Sequence, residues 1–541
     1  MKELGSLVRR YNSLNTVKLG AAVLILFSVF LILVSVIHEP WYDEAQAWQI
    51  ARCASYYDII FHIPHYESHP PLWHLILSVP AKLGAPYEIS IKLINIIFSI
   101  LGVFLIEIRS KFSNWTKTFV PFTFFIFYQY GIISRPYSMM LLALLLAALF
   151  YGGKDEKPLR FIASLIFLCF TSDYGLMIAG GITLAWLSEL LIRHGKMFFK
   201  ELFLTKKTRL AGLVILLLTA IFIIIQVYPA PDMGKVTDSP VLYNLFMITL
   251  AGPAEAFMTD LLTGDLSGAG INGIPGTVVV VLVSLLLWGI GILASYRRSA
   301  LMDFLLPSAF FIAMGTIYST PHHYGIYVML FLYFFWILGE KPVTRKVFPG
   351  IKRGRFTRAC RISARAVMAI SILISCYWTF SAVINDAAYP YFFSREMASW
   401  LRDNTDEKDV IMASWCPVYE KDSQGNDITG KPKAVIYNSV AEIAVPLDPY
   451  FVRPLIDNEI LPYQFLGKMN EEEIRDYSDR VKETGVPDYI LTYNESFIPG
   501  FLAAIDSGEE RYEMEQAFIN YRIFKDDLYY YNVMVYKRVE E

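Results

Sequence analysis

Residues 19–46 read LGAAVLILFSVFLILVSVIHEPWYDEAQ, and this stretch decides the fold. Its apolar run, Leu19 to Ile37, has the length of about 20 residues that a helix needs to cross the hydrocarbon core of a membrane. Asp43 and Glu44 follow shortly after the run ends. A basic segment precedes the run, but no small-residue cleavage site follows it. We therefore predict a retained first membrane helix rather than a signal peptide.

The whole chain shares this apolar character. Of its 541 residues, 55% are hydrophobic and 18% are charged, and the formal net charge is -2. This composition excludes an ordinary soluble globular protein, and the small net charge gives no indication of a nucleic-acid partner. The five cysteines have no metal-ligand spacing. We therefore expect neither a zinc site nor a disulfide framework.

Further apolar segments predict about eleven membrane-spanning helices in total. After the first run they lie at residues 88–109, 118–134, 136–151, 159–173, 175–193, 210–228, 273–295, 300–318, 323–339 and 366–385. Lys and Arg concentrate in every second connecting loop, which is typical of cytoplasmic loops. This charge pattern predicts a cytoplasmic N-terminus and places the chain after the last span outside the membrane.

The predicted fold is an all-α polytopic membrane domain over residues 1–385, followed by an extracytoplasmic α/β domain over residues 386–541. The second part has the composition of an ordinary globular domain. A helical pattern covers residues 394–405. Strands are predicted within residues 409–415, 486–494 and 532–539.

Two long outer loops are predicted, at residues 38–87 and 229–272. Each contains an apolar segment that does not fit a simple span. The segment that starts at Pro70 is too short to cross a membrane, so we predict an amphipathic helix in the membrane interface. Trp73 and His74 would then lie at the level of the lipid headgroups. The second loop, from residue 241, is interpreted in the same way.

The adjacent acids Asp43 and Glu44 have two interpretations. Near the membrane surface, one carboxylate can accept a proton from an attacking hydroxyl, while the other holds a divalent cation or orients an acceptor. Acidic residues in the first turn of a helix also stabilise the helix dipole without any catalytic role. Spacing alone leaves both interpretations open.

Other polar residues fall at the predicted outer ends of different spans. They are Glu67, His69, Arg135, Asp173, His322 and His323. The histidine-rich segment that ends at His69 matches no helical metal-ligand spacing, so solvated interfacial histidines remain an alternative. The Arg135 guanidinium can extend to the interface or bind a lipid phosphate with two hydrogen bonds. Because these residues share one face of the membrane with Asp43, we expect them to act together.

These features together resemble the GT-C glycosyltransferases. The resemblance is strongest to the bacterial branch related to protein O-mannosyltransferases, the lipid A aminoarabinose transferase and the Rgt-type lipopolysaccharide sugar transferases. It rests on the Asp43–Glu44 pair after the first span, a run of the type E-x-[HK]-P-P-L from Glu67, and the Arg-Pro-Tyr sequence at 135–137. It covers residues 15–385.

The resemblance implies an inverting hexosyl- or pentosyltransferase of the cell envelope. Its donor would be a sugar on a polyprenyl phosphate, used on the extracytoplasmic face, and its acceptor a hydroxyl of a glycan, lipid or protein. Asp43 matches the catalytic base and Glu44 the second catalytic acid, and these two would hold Mg2+ or Mn2+ if the enzyme uses a metal. Donor and acceptor contacts are expected from Glu67, His69, Arg135, Tyr137, Asp173, His322 and His323.

Two other functions remain open. A transporter or flippase for a lipid-linked sugar also needs many spans and a polar cavity, but no matching pair of Gly- or Pro-broken spans is recognisable. A membrane assembly or sensor protein would act through residues 386–541 and would leave the Asp43 loop unexplained. The sequence selects neither the sugar nor the acceptor.

Overall fold

The computed structural model describes residues 11, 16–205, 207–233, 240–260, 273–344, 355–415, 417–421, 427–435, 437–463 and 471–539. Most of this part of the chain is helical. Within it, seven helices are long and apolar enough to cross a membrane, by length and composition. They are Thr16–Ile37, Tyr87–Arg109, Asp173–Phe203, Lys207–Val227, Gly276–Arg297, Pro321–Glu340 and Ile362–Ala388. The chain is therefore a membrane protein with several spans.

Shorter apolar helices supplement the long ones. They are Tyr137–Tyr151, Pro158–Cys169, Val241–Phe257 and Leu301–Ile317. The predicted spans at 136–151, 159–173 and 300–318 coincide with shorter helices of this group, so the count of about eleven crossings stays a prediction. Of the predicted outer loop 229–272, residues 234–239 and 261–272 lie outside the described part of the chain.

The predicted span at 118–134 is not a regular α-helix. It begins in the helix Asn114–Phe119, passes through a 3-10 turn at Val120–Phe122 and continues as the π-helical segment Phe125–Ile132. Pro121 explains the break, because proline has no N–H to donate and disfavours helical geometry at the residue before it. The segment is nevertheless deeply buried, so its aromatic side chains form part of the protein core rather than a lipid-facing surface.

The first outer loop folds into a compact layer of short helices. They are Tyr42–Cys53, Tyr56–Phe61, Pro64–Glu67 and Leu72–Lys82. The first and last of these helices bury apolar side chains against each other, including those of Ala45, Trp48 and Leu77. Burial of this apolar area stabilises the layer at roughly 25 cal/mol per Å2.

The predicted depth of Trp73 and His74, at the level of the lipid headgroups, stays a prediction. Both side chains belong to the helix Leu72–Lys82, as expected, but they are only 3% and 5% exposed. The helix packs on Tyr42–Cys53, and the matching face of that helix covers its apolar face. Protein therefore encloses both side chains.

Residues after the last long helix form a small mixed sheet with flanking helices. The strands are β1 (Ile411–Ala413), β2 (Pro417–Lys421), β3 (Asp427–Val435), β4 (Tyr489–Thr492), β5 (Tyr512–Phe524) and β6 (Asp527–Arg538). The helices are Ser394–Asn404, Tyr437–Leu447, Glu471–Thr484 and Ile498–Ala504. The sheet has the order β1-β4-β6-β5, with β1 parallel to β4 and the other pairs antiparallel, while β2 and β3 pair separately. This confirms the predicted helix at 394–405 and the three predicted strands.

The C-terminal part contacts the membrane part through charged side chains. Arg395 donates to Glu88 Oε2 at 2.7 Å, and its backbone N–H donates to Glu39 Oε1 at 2.6 Å. At the tip of the β5–β6 hairpin, the Lys525 ammonium is fully buried and lies 3.0 Å from Glu255 Oε2 and 3.1 Å from Asp260 Oδ1. A buried charge is tolerated only when it is paired, so these contacts fix the hairpin to the membrane part.

We expect Lys525→Ala to destabilise the protein by about 3–5 kcal/mol, because it leaves the buried carboxylate of Glu255 without its counter-ion. The free energy of unfolding in detergent measures this loss. Lys537→Ala is the matched control, since Lys537 is an exposed lysine on the partner strand of the same hairpin, and its replacement should change stability by no more than about 0.5 kcal/mol. Equal stability of the two variants would contradict the role given to the Lys525 ion pair.

Candidate active site

A single cavity brings together most of the predicted site residues. Its volume is about 520 Å3. Residues from four separate segments of the chain line it: Asp43, Glu67, His69, Arg135, Asp173, His322 and His323. The apolar side chains of Met233, Met314 and Ile317 complete part of the wall. The outer ends of the predicted spans therefore converge on one partly polar, partly apolar space.

Asp43 and Arg135 form an ion pair inside this cavity. The Arg135 guanidinium donates to Asp43 Oδ2, and the two side chains are 14% and 32% exposed, respectively. Asp43 lies in the first turn of the helix Tyr42–Cys53, while Arg135 directly precedes Pro136 and the helix Tyr137–Tyr151. A carboxylate and a guanidinium are thus in contact where the cavity can admit a ligand.

Glu44 does not line the cavity. Its carboxylate is fully buried, with Oε1 accepting the Ser134 backbone N–H at 2.6 Å and Oε2 accepting the Trp41 backbone N–H at 3.1 Å. The second bond caps the helix Tyr42–Cys53, as the helix-capping interpretation of the acidic pair predicts. The hydrogen bond from Ser134 holds the backbone next to Arg135. Glu44 therefore fixes the backbone beside Asp43 and the backbone beside Arg135.

A buried histidine connects Glu44 to the last long helix. His38 Nδ1 lies 2.9 Å from Asp386 Oδ2, and His38 Nε2 lies 3.5 Å from Glu44 Oε2. Tyr128 donates to the same Asp386 oxygen at 3.1 Å. Burial lowers the pKa of His38, but the carboxylates of Asp386 and Glu44 outweigh this effect and raise the pKa to about 9. The protonated imidazole therefore lies between two buried acids.

Glu67 and His69 reach the cavity from a sharp turn. Between them, Ser68 adopts a left-handed conformation with φ 53° and ends the short helix Pro64–Glu67. Gln46 donates to Glu67 Oε1 at 2.9 Å and so orients the carboxyl group. Burial raises the pKa of Glu67, while the Gln46 hydrogen bond and the nearby His69 oppose the rise. A Glu67 carboxyl that is readily protonated can donate as well as accept a hydrogen bond.

The two remaining histidines and Asp173 form another part of the wall. The rings of His322 and His323 lie 4.1 Å apart, and His323 Nδ1 accepts the Thr320 backbone N–H at 2.9 Å. Tyr174 donates its backbone N–H to Asp173 Oδ1 at 2.8 Å. These contacts hold the three side chains in place, with donor and acceptor atoms near the cavity.

Tyr137 does not line the cavity. Its ring centroid is 6.0 Å from that of His322 and 5.9 Å from that of His323. The side chain is 2% exposed and is not among the residues that line the cavity. This position, outside the cavity lining, does not support its prediction as a ligand-contacting residue.

Sequence reasoning missed other lining residues. Among them are Tyr42, Gln46, His74 and Tyr318. Burial lowers the pKa of His74 to about 3, and the nearby His69 acts in the same direction, so His74 is a neutral polar group. The position of Gln46, one helical turn after Asp43, is the sequence signal that could have identified it.

The described residues do not contain a group of three or more His, Cys, Asp or Glu side chains that could hold a metal ion. The two acids expected to bind Mg2+ or Mn2+ are also engaged elsewhere. Asp43 pairs with Arg135, and both Glu44 oxygens accept backbone N–H groups. These side chains, in this arrangement, do not fit a magnesium or manganese site. Metal dependence stays a prediction of the family resemblance.

Comparison with known proteins gave matches among solved structures. No family model and no curated protein sequence matches the chain. A crystal structure of ArnT from Cupriavidus metallidurans bound to undecaprenyl phosphate matches with 12% sequence identity and a TM-score of 0.39, over 94% of this chain and 97% of that one. A cryo-EM structure of the arabinofuranosyltransferase AftD from Mycobacteria matches with 14% identity and a TM-score of 0.35, over 96% of this chain. This chain spans only 40% of the length of that mycobacterial protein.

The raised pKa of His38 predicts a pH dependence of stability. Because the folded-state pKa of about 9 lies above the unfolded value of 6.5, the stabilisation is complete below pH 6.5 and is lost as the pH rises through about 9, by an amount on the order of 3 kcal/mol. Thermal unfolding of wild type and His38→Gln between pH 6 and pH 10 measures it. The glutamine variant should be less stable at pH 6 and should lose this part of the pH dependence. Parallel curves for the two proteins would contradict protonation of His38 in the folded state.

Proposed function

We propose that the protein is an inverting membrane glycosyltransferase that transfers a sugar from a polyprenyl phosphate to an acceptor hydroxyl. The observation that carries the proposal is the contact between Asp43 and Arg135 in a cavity rich in polar groups. An inverting transfer needs a base near the acceptor and a cation near the leaving phosphate. These side chains supply both groups at the same place.

The proposed reaction is one displacement at the anomeric carbon. The acceptor oxygen forms a bond to that carbon while its proton passes to the Asp43 carboxylate. The bond between the carbon and the phosphate oxygen breaks, and its electron pair stays on the departing polyprenyl phosphate. The Arg135 guanidinium stabilises the charge on that phosphate, so no general acid is required.

The ion pair also explains how donor binding prepares the base. Arg135 pairs with Asp43, and an ion-paired carboxylate is a weak proton acceptor. A phosphate that binds Arg135 competes with Asp43 for the guanidinium. Donor binding therefore releases the carboxylate at the moment when its proton-accepting role begins.

The surrounding polar residues would hold the sugar. Glu67, His69, Asp173 and the pair His322–His323 present donors and acceptors around the ion pair. Sugar hydroxyl groups need hydrogen bonds of both kinds when they leave water. The apolar side chains of Met314 and Ile317 lie on the same cavity and suit the less polar parts of a lipid-linked donor.

The proposed membrane topology is the one that the charges of the loops predict. The protein would have about eleven spans, a cytoplasmic N-terminus and an extracytoplasmic C-terminal domain at residues 386–541. The reaction then occurs in the cell membrane, on its outer face, with a glycan, lipid or protein as acceptor. The rival function, a flippase for the same lipid, does not need a base beside the phosphate-binding cation.

We expect Asp43→Asn to lower the rate of sugar transfer by about 100- to 10,000-fold, because asparagine cannot accept the proton of the acceptor. Release of polyprenyl phosphate from synthetic sugar donors measures the rate in nanodiscs, and binding of undecaprenyl phosphate should be retained. Asp58→Asn is a suitable control, since Asp58 lies in the same loop but does not line the cavity. Wild-type turnover in the Asp43 variant would contradict its assignment as the base.

A further inference from the structure

Packed aromatic side chains link the β5–β6 hairpin of the C-terminal part to the cavity. The ring of Phe524, at the end of β5, lies 5.3 Å from that of Phe124 and 6.3 Å from that of Phe125. Phe125 packs on Tyr130 at 5.8 Å, and Tyr130 donates its hydroxyl to the His322 carbonyl at 2.6 Å. A short chain of packed rings thus connects the hairpin tip to a residue that lines the site.

Arg522 lies on this hairpin, two residues before Phe524. Its guanidinium carbon is 5.1 Å from the centroid of the Trp41 ring. Trp41 immediately precedes Tyr42 and Asp43, which both line the cavity. The stacking therefore brings a positive charge from the C-terminal part to the beginning of the helix that carries the proposed base.

The charge of Arg522 extends into the cavity. Tyr318 is one of the lining residues, and burial raises the pKa of its hydroxyl. The positive charges of Arg135 and Arg522 both oppose that rise. The two guanidinium groups thus act on the same lining residue.

Arg522 differs from the other arginines around the site in having no counter-ion. Arg135 pairs with Asp43, and Arg395 pairs with Glu88. Within the described part of the chain, no carboxylate pairs with Arg522, although its side chain is half-buried. A guanidinium that stacks on an aromatic ring keeps its N–H groups available for an anion in its plane.

We propose that Arg522 binds the phosphate of the polyprenyl-phosphate carrier at the rim of the cavity, so that the C-terminal part completes the donor site. This inference rests on the proposed function. Arg522 and Arg135 would contact the same phosphate group. Two guanidinium groups would then stabilise its negative charge, and only Arg135 is also paired with Asp43. The C-terminal part thereby acquires a direct role in donor binding.

A purely structural role for Arg522 is less well supported. The hairpin is already held by the buried Lys525 ion pair and by the packing of Phe524. The cation–π contact with Trp41 would add only about 0.5–1 kcal/mol at a partly exposed site. The hairpin therefore does not need Arg522 in order to dock.

The test compares the binding of undecaprenyl phosphate and of undecaprenol, which lacks the phosphate. The full-length protein is placed in phosphatidylcholine nanodiscs as wild type, Arg522→Gln and Arg522→Lys. Arg511→Gln is the matched control, because Arg511 is an exposed arginine just before the start of the same strand, roughly 35 Å away along it. Thermal unfolding of each variant monitors its folding.

We expect Arg522→Gln to weaken the binding of undecaprenyl phosphate by about 10- to 100-fold, the usual effect of losing a charge-assisted hydrogen bond. Undecaprenol binding should not change. Arg522→Lys should recover part of the phosphate affinity. This variant tests the need for a positive charge at position 522 even if the glutamine variant does not fold. The control should bind both lipids like the wild type.

Three results would overturn the inference while leaving the proposed function intact. The first is wild-type affinity of Arg522→Gln for undecaprenyl phosphate. The second is an equal loss of affinity for both lipids, which would indicate a structural role. The third is displacement of undecaprenyl phosphate from wild type but not from Arg522→Gln by phosphatidylglycerol, which would assign Arg522 to lipid headgroups in general. Failure of wild type to distinguish undecaprenyl phosphate from undecaprenol would instead contradict the proposed function itself.

Discussion

The buried carboxylate of Glu44 is the contact on which the arrangement of the site depends. It joins the start of the first outer helix to the backbone before Arg135, and through His38 it reaches Asp386 on the last long helix. Removing these charges from water would cost several kcal/mol for each ion if they were unpaired. They are arranged as a cation between two anions, and two backbone N–H groups donate to the Glu44 carboxylate. The network therefore specifies one relative position for three distant parts of the chain.

That position separates the roles of two neighbouring acids. Asp43 and Glu44 are adjacent in sequence, but consecutive helical residues point in different directions. Glu44 turns into the protein and becomes fully buried, whereas Asp43 keeps 32% of its side chain exposed in the cavity. Different environments give identical chemical groups different tasks. Here Glu44 holds the backbone. Asp43 can give up its ion pair with Arg135 when a ligand binds, and it can then accept a proton.

Much of this arrangement can be predicted from sequence, because it follows from periodicity and charge. Apolar runs identify the long helices, and the polar residues at the ends of different spans are correctly expected to meet. The helix at 394–405 and three strands are also predictable from their residue patterns. Local patterns do not reveal tertiary partners. For this reason the burial of Trp73 and His74, the position of Tyr137 outside the cavity lining and the burial of Glu44 could not be predicted.

The central claim is that the bond between the sugar and the carrier phosphate is broken in this cavity. The most direct measurement places the full-length protein in proteoliposomes with a panel of fluorescent polyprenyl-phosphate sugars and short glycan, lipid and peptide acceptors. Both cleavage of the donor and its movement between leaflets are then followed. We predict that at least one donor is consumed and yields a glycoside of inverted anomeric configuration together with free polyprenyl phosphate. Movement of intact donors between leaflets, with no cleavage for any donor and acceptor, would contradict the claim and identify a transporter.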